Sequence, residues 1–277
     1  MSELAPTVTL SNGASLPRLG LGTSPMNDDE VERAVVQALE VGYRLVDTAE
    51  AYRNEVGVGR GLEASGVPRD EVFVTSKFNK HRHSVEGARA AFEASAEKLG
   101  VEYLDLLLIH WPNPEHGQYV EAWRGLIELR EAGLVRAIGT SNFKPSHLQR
   151  LIDETGVAPE VNQIQLSPIW TKQAERDYHT AHGIVTESWS PLGKGSDLLD
   201  HPTVTAAAKA HDKTPGQVVL RWHVQQDLVP IPKSSNRERL ERNLAVFDFE
   251  LTADELAALS ALDGTGRAPA DSDKTGH

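Results

Sequence analysis

Four residues of the chain have types and positions suited to one piece of chemistry: Asp47, Tyr52, Lys77 and His110. Asp47, Lys77 and His110 each end a short apolar run, and Tyr52 follows Asp47 by five residues. A phenol with its ordinary pKa of about 10 is a poor acid at neutral pH unless its anion is stabilised. A nearby ammonium lowers that pKa, and a carboxylate holds the ammonium in place. An imidazole steers a carbonyl oxygen. The set suits protonation of a carbonyl oxygen while another group delivers hydride. No side chain supplies hydride, so a nicotinamide or a flavin is implied.

Taken singly, each residue has a plainer use. Asp47 can cap the next helix, Tyr52 can be a half-buried core residue, and Lys77 a solvated charge. His110 can be a hydrogen-bonded core histidine. What separates the two views is position, so the elements that place these residues decide the matter.

Short β-rich runs fall at residues 18–22, 43–47, 72–77, 104–110, 135–139, 160–163, 184–188 and 228–231. Amphipathic stretches alternate with them at 28–40, 55–65, 84–99, 119–132, 145–155, 172–182, 214–226 and 237–246. In the first, Val31, Ala34, Val35, Ala38 and Leu39 recur at helical spacing. Gly42, Gly66, Gly100, Gly133, Gly156 and Gly183 follow helical stretches as C-caps should. Asp28 and Thr214 stand at N-cap positions, the latter before Pro215.

Eight alternating units in 277 residues predict an α/β fold of parallel strands, a (β/α)8 TIM barrel. A doubly wound sheet is the rival. An Asn12-Gly13 turn between residues 7–10 and 14–17 predicts an N-terminal β-hairpin at the barrel bottom. No linker or composition break divides the chain, so residues 1–277 read as one domain, with 263–277 as a mobile tail. In a barrel the strand C-termini converge on one mouth, and seven of the eight runs end in polar or aromatic groups.

Composition narrows the rest. With 40 acidic and 28 basic residues the net charge is −12, and no basic stripe interrupts it, which argues against nucleic acid. Cysteine is absent, which excludes disulfides, thiolate nucleophiles and Cys-ligated metal and fits a reducing cytoplasm. The start, Met1 to Pro6, lacks the features of a secretory signal, and no apolar run spans a bilayer. A small-molecule substrate is expected, and a monomer with no membrane partner.

Gly59-Arg60-Gly61-Leu62-Glu63-Ala64 matches a dinucleotide fingerprint, but it lies within a helical stretch rather than at a strand-to-helix turn. Gly193-Lys194 lacks the upstream glycine of a Walker loop. His81 with His83, and His179 with His182, lack a third ligand, so they read as surface histidines and no metal is expected. A phosphate site remains available. Residues 231–239, with Lys233, Ser234, Ser235, Asn236 and Arg239, end the eighth run and enter a helix. Basic groups there suit the extra phosphate of NADP.

Residues 42–49 with Tyr52, Asn54, Glu55 and Gly59 resemble the first signature of the aldo-keto reductase superfamily. Residues 135–143, Val161-Asn162-Gln163-Ile164, and 231–239 with Asn243 resemble its middle and C-terminal signatures. Residues 247–252 continue the last one. The likeness covers nearly the whole chain, and short loops make it most similar to the small prokaryotic branch that includes 2,5-diketo-gluconate reductases.

The resemblance implies a barrel without Rossmann topology, with NADPH extended across its mouth. It makes Tyr52 the general acid, Lys77 and Asp47 its tuners, and His110 the group that orients the carbonyl. Ser141, Asn142 and Gln163 would hold the carboxamide, and Trp189 would stack on the nicotinamide. Gly22, Thr23, Ser190 and Leu192 would lie along the cofactor. Lys233, Ser234, Ser235, Asn236 and Arg239 would hold the phosphate end, with Arg242 and Asn243 near the adenine. Ser24, Asn79 and Trp111, with the loop 113–118, would line the substrate pocket.

Arg242, Asn79, Ser24, Gln165, Ser167 and Thr140 depart from the family's common residues; Asn79 and Ser24 make the pocket less aromatic. The function implied is NADPH-dependent reduction of aldehydes and ketones: dicarbonyls, keto-sugars or small aldehydes. Two alternatives are a cofactor-binding regulatory protein with little turnover and a Schiff-base aldolase using Lys77.

Overall fold

The computed structural model describes residues 4–276; residues 1–3, on which part of the leader expectation falls, and residue 277 lie outside the described residues. The chain opens with an antiparallel hairpin, β1 (Thr7–Thr9) and β2 (Ser15–Pro17), paired from Thr7↔Pro17 to Thr9↔Ser15. Asn12 shapes the turn: its Oδ1 accepts from Ala14 N at 3.0 Å, and Gly13 takes φ +89°. Its Nδ2 donates to Arg136 O at 2.9 Å, which ties the hairpin to the start of a barrel strand.

Eight parallel strands follow: β3 (Leu21–Gly22), β4 (Leu45–Asp47), β5 (Phe73–Phe78), β6 (Leu104–Ile109), β7 (Val135–Ser141), β8 (Val161–Gln165), β9 (Val185–Trp189) and β10 (Val229–Ile231). Each pairs with the next, and a parallel bridge from Gly22 to Lys233 closes the ring. The expected barrel is therefore the observed one. Inward-facing Leu45, Phe73, Leu106, Ala137, Val161 and Val229 pack together, with Leu10 and Leu16 of the hairpin in the same cluster. The hairpin thus closes the end opposite the mouth.

Around the barrel run α1 (Asp28–Val41), α2 (Glu55–Ala64), α3 (Val85–Leu99), α4 (Tyr119–Glu131), α5 (Pro145–Thr155), α6 (Gln173–Ala181), α7 (Pro202–Ala210), α8 (Pro215–Gln225), α9 (Arg237–Leu244) and α10 (Ala253–Ser260). The apolar stripe of α1 is buried as its spacing requires. Its N-cap, however, is Asn27, whose side chain accepts from Glu30 N, and not Asp28. Asp28 Oδ1 instead accepts from Gly57 N at 2.8 Å, so it anchors the neighbouring helix. The fingerprint-like glycines of α2 are packing residues. A Cβ on Gly59 would meet Leu99 O at 2.6 Å, and one on Gly61 would meet Val35 Cβ at 2.7 Å.

Two helices and two histidines depart from the expectations. Helices α7 and α10 were not read from the sequence. His83 and His179, expected at the surface, are buried. His179 Nε2 lies 2.9 Å from Asn162 Nδ2 and its Nδ1 2.8 Å from Thr186 Oγ1, so it is a satisfied core histidine.

After α10 the chain runs back across the mouth side of the barrel. Trp170 Nε1 donates to Arg267 O at 2.7 Å, and Lys144 Nζ reaches Asp271 at 2.6 Å and Asp273 at 2.5 Å. The composition of this tail argues for mobility, yet it has these fixed partners.

Candidate active site

The strand ends bring the four chemical groups together. Asp47 ends β4, Lys77 lies on β5, His110 follows β6, and a 3-10 turn, Glu50–Tyr52, carries the phenol. Buried Asn54 holds that turn in place. Its Nδ2 donates to Thr23 O and Met26 O at 3.0 Å each, and its Oδ1 accepts from Thr48 Oγ1 at 3.1 Å.

Lys77 is fully buried and its ammonium has three partners, as many as it has protons. Asp47 Oδ1 lies at 2.7 Å, Thr48 O at 2.9 Å and Tyr52 OH at 3.4 Å. Asp47 therefore does not cap a helix; it holds the lysine. The Tyr52 and His110 rings meet edge to face, with centroids 5.8 Å apart.

Burial acts to lower the Lys77 pKa, but Asp47, then Tyr52, outweigh it and the net shift is upward. The Tyr52 phenol is also pushed up. Burial is the main cause, with Lys77 pulling it down and Asp47 adding to the rise. The sequence argument anticipated a lowered phenol; with the barrel interior this dry, desolvation outweighs the ammonium.

Above these groups opens a cavity of about 470 Å3, within the range of small-molecule sites. Asp47, Tyr52 and His110 form part of its wall, with Gly22, Thr23, Ser24, Trp111, Ser141, Asn142, Gln163, Trp189, Ser190, Leu192 and Lys233. Lys77 lies beneath them. Asn79 does not line the cavity; its backbone N donates to Glu50 Oε2 instead.

Two wall residues adopt the left-handed backbone conformation uncommon outside glycine, Asn142 with φ +64°, which asparagine tolerates best, and Ser190 with φ +51°. Asn142 Nδ2 donates to His110 O and Ser141 Oγ, and Ser141 Oγ donates to Gln163 O. One network thus joins the ends of β6, β7 and β8.

At the far end, Lys233 leads into α9, capped by Asn236, whose side chain accepts from Arg239 N at 2.9 Å. Ser234 Oγ both donates to Asn236 O and accepts from Asn236 N at 3.2 Å. Ser234, Ser235, Asn236, Arg239, Arg242 and Asn243 lie outside the cavity wall, on or next to this helix. Arg242 is ion-paired with Glu238 and Lys233 with Glu30, the latter at 3.1 Å. No group of acids and histidines among the described residues could hold a metal.

Sequence reasoning missed Glu187. It lies on β9, fully buried, and its Oε2 accepts from Gln163 Nε2 at 2.8 Å. The same Nε2 donates to Asp47 Oδ2 at 2.8 Å. Burial, then the charge of Asp47, push the Glu187 carboxyl up to about 8, against Gln163 and Lys77. An acid inside an apolar strand run was the available signal.

A closed eight-stranded barrel with a phenol, an ammonium, a carboxylate and an imidazole at its mouth defines an oxidoreductase-like barrel class. The chain belongs to the aldo/keto reductase family, whose description matches residues 16–263. It is 48% identical over 264 residues to an aldo-keto reductase of Mycolicibacterium smegmatis, covering 95% of each chain. It is 48% identical over 258 residues to 2,5-diketo-D-gluconic acid reductase B of a Corynebacterium species, covering 93% of each. A solved structure of a Gox0644 mutant in complex with NADPH superposes with a TM-score of 0.94 at 44% identity, over 99% of each chain.

Proposed function

We propose that the protein reduces aldehydes and ketones to alcohols with NADPH, its substrates being dicarbonyls, keto-sugars or small aldehydes, with Tyr52 as proton donor. The observation that carries this is the Tyr52–Lys77–Asp47 chain at the floor of a cavity with an aromatic wall.

The residues present fit the cofactor. Trp189 offers a flat face in the cavity, Ser141, Asn142 and Gln163 offer polar atoms beside it, and Lys233 stands where the wall meets the capped start of α9. When bound, NADPH supplies the hydride. Tyr52 OH donates its proton to the carbonyl oxygen. The Lys77 ammonium, 3.4 Å away, stabilises the phenolate left behind, and Asp47 keeps the ammonium in place. His110, edge-on to Tyr52, orients the carbonyl oxygen toward the phenol. Ser24 and Trp111 contact the substrate's other end.

Tyr52→Phe is the direct test. Carbonyl-dependent oxidation of NADPH, followed by absorbance with methylglyoxal or a diketo-gluconate, should be lost, while NADPH still quenches tryptophan fluorescence. Turnover near that of the unaltered protein would remove Tyr52 from the role.

The Schiff-base alternative is opposed by Lys77 itself. A nucleophilic amine must be neutral and have a free lone pair, whereas this one is pushed toward the charged form and gives its protons to three acceptors. The proposal includes a single domain acting as a monomer in the cytoplasm; sedimentation of the purified chain tests the oligomeric part.

A further inference from the structure

The barrel interior beneath the mouth holds two carboxylic acids, Asp47 and Glu187, and one ammonium, Lys77. Gln163 stands between the acids. Its single amide nitrogen donates one proton to Asp47 Oδ2 and the other to Glu187 Oε2, each at 2.8 Å. Both amide protons are thereby committed to the two acids, which leaves the amide oxygen as the remaining acceptor of a residue that lines the cavity. Glu187 Oε1 is buried without a hydrogen-bond partner. An ionised carboxylate with one oxygen unsolvated is costly, whereas a proton on that oxygen removes the charge.

We propose that Glu187 is a positioning residue: as a neutral acid it fixes the Gln163 amide, so that the amide presents an oxygen acceptor to the nicotinamide end of the cofactor. This rests on the NADPH reading above. The titratable and charged groups near Glu187 are Asp47 from β4 and Lys77 from β5, with Tyr52 beyond the lysine. Asp47 alone leaves one amide proton of Gln163 without an acceptor, and the amide can then turn. With Glu187 present, a turned amide would trade its two hydrogen bonds for at most one, from the Glu187 hydroxyl, and would set its oxygen against Asp47 Oδ2.

The test is a pair of variants and a pair of ligands, read by fluorescence titration rather than by turnover. NADPH spans both ends of the site, whereas adenosine 2′,5′-bisphosphate carries the adenine and phosphate end and no nicotinamide. Glu187→Leu should weaken NADPH binding by about ten-fold, the scale of one orienting hydrogen bond, and leave the bisphosphate unchanged. Glu187→Gln, neutral and still an acceptor, should recover binding to within about two-fold of the unaltered protein, since it keeps that bond.

Unchanged NADPH affinity in Glu187→Leu would overturn the proposal. Equal loss of both ligands would also overturn it, because the residue would then be supporting the fold in general. A Glu187→Gln variant as weak as Glu187→Leu would overturn the neutral-acid part. Failure of the unaltered protein to bind NADPH would overturn the functional reading itself, and this inference with it.

Discussion

Trp189 Nε1 donates a 2.9 Å hydrogen bond to Asn142 Oδ1, tying the indole at the end of β9 to the residue that follows β7. The same asparagine donates to His110 O and Ser141 Oγ, and it does so with φ +64°. One left-handed residue therefore sets the indole and the His110 loop together. Asn142→Ala should raise KM for NADPH at least about ten-fold through the lost bonds. Backbone strain in the left-handed region should cost a further 1–2 kcal/mol or so of stability. Asn142→Gly removes the strain alone, so its melting temperature should recover while KM stays high.

Lys77 and Asp47 form a dry ion pair, both side chains nearly inaccessible. Lys77→Met leaves Asp47 buried without a cation and should cost about 3–5 kcal/mol, on the order of 10 °C for a chain of this size. Adding Asp47→Leu removes the stranded charge. The double variant should regain much of the melting temperature and none of the carbonyl reduction, which calorimetry and a turnover assay would separate.

Stability should pass through a maximum close to neutral pH. His83, His179 and His223 are pushed down to about 4, with burial the largest cause in each. Between there and their ordinary value of 6.5 the unfolded chain binds protons that the folded one does not, so stability is lost as pH falls through that window. Glu187, pushed up to about 8, acts in the opposite sense. Its folded form keeps a proton that the unfolded form releases, so stability is lost as pH rises from its ordinary value of 4.5 toward 8. Each group contributes a slope of about 1.4 kcal/mol per pH unit within its own window. Burial also pushes His147 down and Glu160 up, in the same two senses, so the histidines outweigh the acids up to about pH 6.5 and the acids alone act above it. Melting curves of Glu187→Gln should lose the decline above neutrality; a profile unchanged from the parent would contradict the assignment.

Lys233 is bridged to Glu30 across 3.1 Å, and each side chain is about one-third exposed. A phosphate at Lys233 has to compete with that carboxylate. Glu30→Gln should therefore tighten NADPH binding by up to about five-fold, the limit set by exposed ion pairs. The gain should shrink in high salt, as titrations at two ionic strengths would show.

The barrel and its mouth were legible because two periodicities alternate without interruption and polar groups stand where the runs end. Asp47, Lys77 and His110 are strand ends in the sequence and neighbours in space for the same reason. Helix α10 was legible in principle, since Thr252 and Glu255 form a capping box. Helix α7 carries a weaker signal; its cap is His201, a residue with little N-cap preference, and its core is mostly alanine. Asp28 lost the cap to Asn27 because a tertiary partner, Gly57 N, engages its oxygen, and no local pattern records that. Glu187 stood out as an acid inside a strand run, but the turn of Gln163 toward it was illegible for a similar reason: it depends on which acids face each other across a closed barrel.

The two ends of the barrel differ in what can be attached to them. The hairpin seals one end with Leu10 and Leu16, and residues 4 and 5 lie beside it, far from the chemistry. The other end of the described chain returns to the mouth, where even a Cβ on Gly276 would meet Trp111 Cβ at 3.0 Å. A purification tag or surface linkage at the amino end therefore leaves substrate traffic free, and the same addition at the carboxyl end stands beside the doorway.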